Sequence, residues 1–382
     1  MFKLFGDHVP VVKGLIKNTM VFLPLVFVLV LVNYFVDPAQ LFKGTLYEKG
    51  IVDILHQGLN VAGITNYDER ILQKFYIETQ PAKNEVVVFG SSRAMQIAAP
   101  SFPNQTFFNH SVSGATLQDY MAIYEMLEEK GDSPDVVVLG LDPWLLNSNS
   151  GQTRWKSVRD HYEKSAVRLG VAEERDKRWE TSEYFLVEKY AEIFSLSYFQ
   201  SAIRYLWKRG LTNIHEQKLY YGTDRTDLNI GMIHADGSRG YGPKIRNVNV
   251  SEALEEAKKY VRMDPVYSLN KFRVLDQKAK TRLEAFVRYL LENDIKVVFF
   301  LSPYHPYVYR HLVGSHQYKI ILASEKFFRD VALKNRISIV GSYSPEACEL
   351  EEKDFYDGMH PKAQAISRMA ESIEPQIFQS KK

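Results

Sequence analysis

The sequence predicts a three-layer α/β/α sandwich built on a five-stranded parallel sheet. An N-terminal transmembrane helix precedes it, and a large insertion follows the third strand. Three observations carry that prediction. Five short apolar runs lack the alternation of a half-exposed strand, helical patterns separate them, and a single long interval breaks the rhythm. Continuous β-branched runs mark strands buried on both faces, which a parallel sheet covered by helices requires.

The first element is the anchor. Asn18–Val36 carries no charge, and Met20–Val32 reads MVFLPLVFVLVLV. A bilayer core needs about 20 apolar residues of helix, so 18–36 suffices, and neighbouring groups can compensate for the donor missing at Pro24. Lys3, Lys13 and Lys17 precede the span and Asp37 follows it. Positive-inside logic puts 1–17 in the cytoplasm and the rest outside. A cleaved signal peptide would end on a small-x-small site, which Asn33-Tyr-Phe-Val-Asp-Pro does not offer.

Residues 37–80 read as a juxtamembrane helical segment, with an amphipathic stretch at Asp68–Glu78. The strands follow: Glu85–Phe89, Thr106–Asn109, Val136–Leu141, Lys296–Leu301 and Ile337–Val340. Helical patterns at Leu117–Glu129, Ala279–Glu292 and Tyr318–Lys334 alternate with them, the signature of a doubly wound sheet. The α/β/α domain is thus assigned to 81–145 and 276–376.

The interval 146–275 is far longer than the dozen or so residues a parallel crossover needs. It leaves the carboxyl end of a strand, the edge where open α/β sheets bind ligands. It is expected to be a lid or substrate platform, or else a peripheral decoration. Its apolar stripe Tyr190–Trp207 reads as core of the insertion rather than as membrane contact.

Composition excludes several classes. Hydrophobic residues are 45% and charged residues 25% of the chain, an ordinary globular balance. Against 48 basic residues stand 46 acidic ones, for a net charge of +2, which gives no case for nucleic acid. Cys348 is the only cysteine, so no intramolecular disulfide or multi-thiolate zinc site is possible. A site of Asp357, His360 and His305 lacks any recognised ligand spacing, and neither metal nor cofactor is expected.

Two motifs carry chemistry. Gly90-Ser91-Ser92-Arg93 follows the first strand directly, where a glycine turn would open a helix and lift a serine hydroxyl to the sheet edge near backbone N–H groups. The same spelling also serves an N-cap or a phosphate cradle. Asp357-Gly-Met-His360-Pro361 lies near the far end of the chain. Pro361 suits the first position of a helix, which would make His360 the cap, its imidazole pointing off the helix start. Asp357 could then reach Nδ1 and set the tautomer. Alone, this too is ordinary turn chemistry; on opposite flanks of one parallel sheet, the two motifs read together as nucleophile, base and orienting acid.

At these residues the chain resembles the SGNH (GDSL-like) hydrolase superfamily. The resemblance implies Ser92, rather than Ser91, as nucleophile, with His360 and Asp357 completing the catalytic triad. Asn109-His-Ser-Val-Ser-Gly114 looks like the second block, implying backbone N–H groups of Ser92 and Gly114 as the oxyanion hole. The third block normally supplies an asparagine donor; here Gly140-Leu-Asp142-Pro143 supplies an aspartate. An ionised aspartate only accepts hydrogen bonds, so Asp142 must be protonated, serve structure, or bind a cationic part of the substrate.

The anchor, Gly-Ser-Ser and Gly-Leu-Asp-Pro-Trp144 narrow the resemblance to a membrane-anchored branch. That branch contains the D-alanyl transfer proteins of teichoic acid modification and the alginate O-acetylation proteins. It implies a serine esterase or O-acyltransferase acting on acetyl or similar esters of a cell-surface polysaccharide or envelope glycan. It also implies a bacterial inner-membrane location, a periplasmic or extracellular catalytic domain, and a membrane-bound O-acyltransferase as partner. Asp142, Trp144, Tyr304 and His305, all at strand ends, are the candidate substrate-lining residues, with Tyr343 placed analogously. The alternatives are a strand-end turn with capped polar residues at Tyr304 and His305, and aromatic packing at Trp144 and Tyr343. The alternative is a catalytically silent glycan-binding or scaffold protein of a polysaccharide-modification complex. A flavodoxin-like phosphate or nucleotide binder would leave Asp357 and His360 without a role.

Overall fold

The computed structural model describes residues 9–37, 46–64, 67–172, 190, 192–209, 220–263 and 265–373; for 9–22, 192, 205, 208 and 209 it describes the backbone alone. The chain forms two compact units. One comprises Glu48–Ile64, Asp68–Glu174 and Tyr220–Lys382; the other takes the described parts of Met1–Tyr47, Thr65–Tyr67 and Arg175–Leu219.

Among the described residues the strands are β1 (Asn60–Ala62), β2 (Val86–Phe89), β3 (Phe107–Asn109), β4 (Val136–Gly140), β5 (Tyr221–Thr223), β6 (Met232–Ile233), β7 (Arg239–Gly240), β8 (Lys296–Leu301) and β9 (Ser338–Gly341). The five apolar runs of the sequence form one sheet of order β3-β2-β4-β8-β9, parallel throughout. The first strand of this sheet has the second on one side and the third on the other. Connections therefore leave β2 and β4 in opposite directions, and a crevice opens beyond their carboxyl ends.

The period of two along each strand sorts the core into two layers. Val87, Phe89, Val137, Leu139, Val297 and Phe299 pack with the helices Leu117–Lys130, Gln277–Glu292 and Ile320–Asn335. Val86, Val88, Val136, Val138, Val298 and Phe300 face the helix Ala363–Ala370, together with Ile97 and Phe102 from the β2–β3 connection. Caps fix where helices begin. Thr116 and Asp119 form a reciprocal capping box, and the Asp276 carboxylate accepts from Ala279 N–H at 2.7 Å.

The structure corrects three expectations. No helix opens after Ser92: residues 92–96 form tight turns instead, with Ala94 N–H on Ser91 C=O at 2.9 Å and Ile97 N–H on Ala94 C=O at 3.0 Å. The carbonyls a helix would use are taken by Asn109, whose Nδ2 donates to Ala94 at 2.9 Å and Ile97 at 2.8 Å. Nor is His360 a helix cap. Phe355 bridges Pro361, Tyr356 N–H bonds His360 C=O at 2.9 Å, and the helix starts only at Ala363.

The third correction concerns residues 37–80, which are not wholly helical. Leu46–Leu55 and Glu69–Thr79 are helices, but Asn60–Ala62 is a central strand of a second, antiparallel sheet of order β5-β1-β6-β7. Three strands of that sheet come from the 146–275 interval, which the two units divide between them.

The first helix runs Val9–Val36. Residues 1–8 of the expected cytoplasmic segment lie outside the described residues, as do the side chains of 9–22. Among the described residues no helix is long and apolar enough to cross a membrane.

Candidate active site

Because the sheet is parallel, everything that follows a strand emerges at one edge: Ser92 after β2, Gly114 after β3, Asp142 after β4, Tyr304 and His305 after β8, Tyr343 after β9. Gly90 and Gly140 let the turn after β2 settle onto that edge. A Cβ at Gly90 would overlap Ala94 and Ser111, and one at Gly140 would press on Ala94 and the Gly90 backbone.

On that turn the two serines diverge. Ser91 is buried; its Oγ accepts from Arg93 N–H at 3.2 Å and its hydroxyl hydrogen-bonds Asp142. Ser92 is partly exposed and its Oγ lies 2.9 Å from Nε2 of His360, across 268 residues of sequence. On the other side of the imidazole, Nδ1 is 2.9 Å from Oδ2 of Asp357.

Asp357 holds its own loop as well as the imidazole. Its Oδ1 accepts from Met359 N–H at 2.8 Å and His360 N–H at 2.9 Å, an Asx turn that sets the backbone between acid and histidine. Burial pushes the Asp357 carboxyl up, but the neighbouring His360 charge and these hydrogen bonds outweigh it and hold the group below its ordinary value. The carboxylate is therefore ionised at neutral pH and orients the imidazole with Nε2 free to take a proton. The His360 side chain is 20% exposed and that of Asp357 38%, so the group opens to solvent.

The N–H groups of Ser92 and Gly114 donate to no protein acceptor among the described residues. Gly114 has φ +59°, and Gln152 Oε1 and the Tyr267 hydroxyl lie where a Cβ would stand, so a side chain there would be both strained and blocked. The loop before it is braced: Ser113 Oγ bonds Glu69 at 3.0 Å, and Arg70 donates to Ser113 C=O at 3.0 Å while pairing with Asp119 at 2.8 Å.

Asp142, Trp144, Tyr304 and His305 do not line the opening. Their exposures are 3%, 2%, 0% and 0%, because each is used beneath it. Asp142 accepts from the Arg93 guanidinium at 2.8 Å. Arg93 also donates through Nε to Met359 C=O at 3.1 Å and through Nη2 to Ser302 C=O, and its guanidinium stands 4.0 Å from the centre of the Tyr304 ring. This buried pair ties the nucleophile turn to the ends of β4 and β8 and to the histidine loop. Burial pushes the Asp142 carboxyl up, against the pull of Arg93 beside it.

Trp144 Nε1 donates to Ala115 C=O at 3.1 Å, behind the Gly114 loop. His305 N–H donates to Gly358 C=O at 3.1 Å, and its Nδ1 accepts from Tyr307 N–H. Tyr343 is likewise buried, its hydroxyl on Leu141 C=O at 2.7 Å. No group of histidine, cysteine or carboxylate side chains able to hold a metal occurs among the described residues.

Sequence reasoning missed Arg93, which stood in the motif without a role. The available signal was Asp142 itself: a carboxylate at the end of a fully apolar strand must find a cation or a set of donors. It also missed the contribution of the insertion. Arg239 N–H bonds Met95 C=O at 2.7 Å, Asp236 accepts from Ala99 N–H at 2.7 Å, and Tyr260 packs on Gly358. The insertion thus buttresses both the serine turn and the histidine loop.

No curated protein matches the chain. Its residues 15–371 match a family described as a protein of unknown function, DUF1574, and the chain, which this match covers almost throughout, belongs to that family.

Proposed function

We propose that the protein is a membrane-anchored, extracytoplasmic serine esterase or O-acyltransferase of the SGNH-like type. Its substrates are acetyl or similar small esters on a cell-surface polysaccharide or envelope glycan. The observation that carries this reading is the relay Ser92 Oγ–His360 Nε2–Asp357, at 2.9 Å on each side of the imidazole. The sheet order, equivalent to 2-1-3-4-5, agrees with an SGNH or flavodoxin-like fold. A nucleotide-binding role would leave the relay unexplained.

In the proposed reaction His360 takes the Ser92 proton as Oγ attacks the ester carbonyl. The tetrahedral oxyanion collapses and expels the alcohol, which receives the proton from His360. The unpaired N–H groups of Ser92 and Gly114 are the proposed oxyanion donors, a group of this kind contributing about 3 kcal/mol. Water or a polymer hydroxyl, deprotonated by the same imidazole, then takes the acyl group from the serine. Asp142 supplies no donor; its proposed role is to fix Arg93, and through it Met359 beside the catalytic histidine.

The engagement of Asp142 by Arg93 also favours a second reading, a silent glycan-binding or scaffold protein, since the asparagine donor usual in SGNH hydrolases has no counterpart there. Acyl-enzyme trapping separates the two. Brief incubation with an activated aryl acetate, then acid quench and peptide mapping, is expected to find an acetyl group on Ser92. An unmodified Ser92 peptide from folded protein would favour the scaffold.

A further inference from the structure

Much of the stripe Tyr190–Trp207, expected inside the insertion, is at the surface. Tyr190, Phe194, Leu196 and Trp207 are 50%, 64%, 66% and 92% exposed. These residues belong to the same unit as the first helix and are fastened to its end. Asn33 Nδ2 donates to Ile193 C=O at 2.8 Å and Ser195 C=O at 3.0 Å, and the Tyr198 hydroxyl donates to Asp37 at 2.6 Å.

The helix Leu196–Arg209 has an apolar arc wider than that contact needs. At 100° per residue, Tyr198 and Ala202, both buried, share one side with the first helix. Leu196, Phe199, Ile203, Leu206 and Trp207 continue the arc outward, while Ser197, Gln200, Ser201 and Arg204 gather on the opposite side.

We propose that this outward arc lies on a lipid bilayer beside the first helix, giving the chain a second membrane contact. The first helix tells lipid from protein as the occupant. Leu25, Val26, Phe27 and Val28 are 64%, 44%, 62% and 50% exposed, and four successive residues take in its whole circumference. A protein partner covers one stripe of a helix; a hydrocarbon solvent accepts every side.

The second helix begins where the uncharged run ends, at the level of Asn33 and Asp37, which is where an interface would fall. Tyr34 and Phe35 are aromatic residues of that level, Trp207 is the aromatic end of the outward arc, and exposed Arg204 provides charge for anionic headgroups. The inference rests on the anchored reading above.

The test uses the full-length chain in vesicles of phosphatidylcholine and phosphatidylglycerol, with and without acyl chains brominated near the headgroup. Wild type is compared with Trp207→Phe, a change at a solvent-facing position that asks nothing of the core. The expected result is quenching of tryptophan emission by brominated lipid that is lost in W207F, with the chain retained by vesicles in alkaline carbonate. Retention in carbonate with equal quenching of both proteins would overturn the second contact and leave the anchor standing. Release by carbonate with W207F-dependent quenching would overturn the anchor alone, and release without such quenching would overturn both. Equal quenching accompanied by self-association in sedimentation would assign the arc to a second copy.

Discussion

At the scale of single residues, the site is a chain of side chains each holding the next. Asp357 fixes His360, His360 faces Ser92, and Arg93 beneath them joins Ser302, Asp142 and Met359. Removing one member of a buried ion pair strands the other, at a cost of about 3–5 kcal/mol. Asp142→Ala is therefore expected to lower unfolding stability by that amount and to slow Ser92 acylation by about 100-fold through displacement of the histidine loop. Arg93→Met added to it should restore part of the stability but none of the rate. A double-mutant cycle in urea, read beside acylation kinetics, checks this; additive stabilities would mean the two side chains do not act as a pair.

The motifs were legible because two turns, each ordinary alone, lie on opposite flanks of one parallel sheet and together supply a nucleophile, a base and an acid. The burial of Trp144, Tyr304 and His305 was legible only as one of two alternatives. A strand-end aromatic spells the same whether it faces a ligand or Arg93, and only tertiary packing decides.

At the scale of elements, the sheet was readable and its connections were not. Short β-branched and aromatic runs without alternation favour strands buried on both faces, and all five strands were found to within one residue at each end. The turn after Ser92 was misread because its helix is forestalled by Asn109, a side chain from the next strand. Asn109→Ala would leave the buried Ile97 carbonyl unpaired and take from Ala94 C=O one of its two donors, costing about 1–3 kcal/mol. It should also impair acylation at Ser92, measurable by thermal unfolding together with single-turnover kinetics. Wild-type stability in that variant would contradict the role given to the clamp.

β1 escaped notice because three residues paired with a distant insertion leave no local period. The Pro361 signal for a helix start was overruled by a bridge between Phe355 and Pro361.

At the scale of the whole molecule, the larger unit draws stability from a double-layered core, and a histidine buried in it makes that stability pH-dependent. His110 is fully buried, 2.7 Å from Gln73 through Nδ1, and burial pushes it down to about 3. Its native form stays neutral while the unfolded chain takes up a proton below the ordinary value of 6.5. Stability from this group is complete above that value and is lost as pH falls toward about 3, at about 1.4 kcal/mol per unit. Urea midpoints are expected to drop from pH 7 to pH 5, and His110→Phe, set among Tyr76, Phe89 and Phe108, should flatten the slope. An unchanged slope would contradict this assignment.

The function proposed for the molecule turns on whether Ser92 is a nucleophile. Labelling of the intact protein with a fluorophosphonate probe asks that directly. Rapid modification of the wild type is expected, with none in Ser92→Ala and strong slowing in His360→Ala and Asp357→Asn. An unlabelled wild type, shown to be folded by its cooperative unfolding, or a Ser92→Ala variant that still labels, would contradict a nucleophilic Ser92.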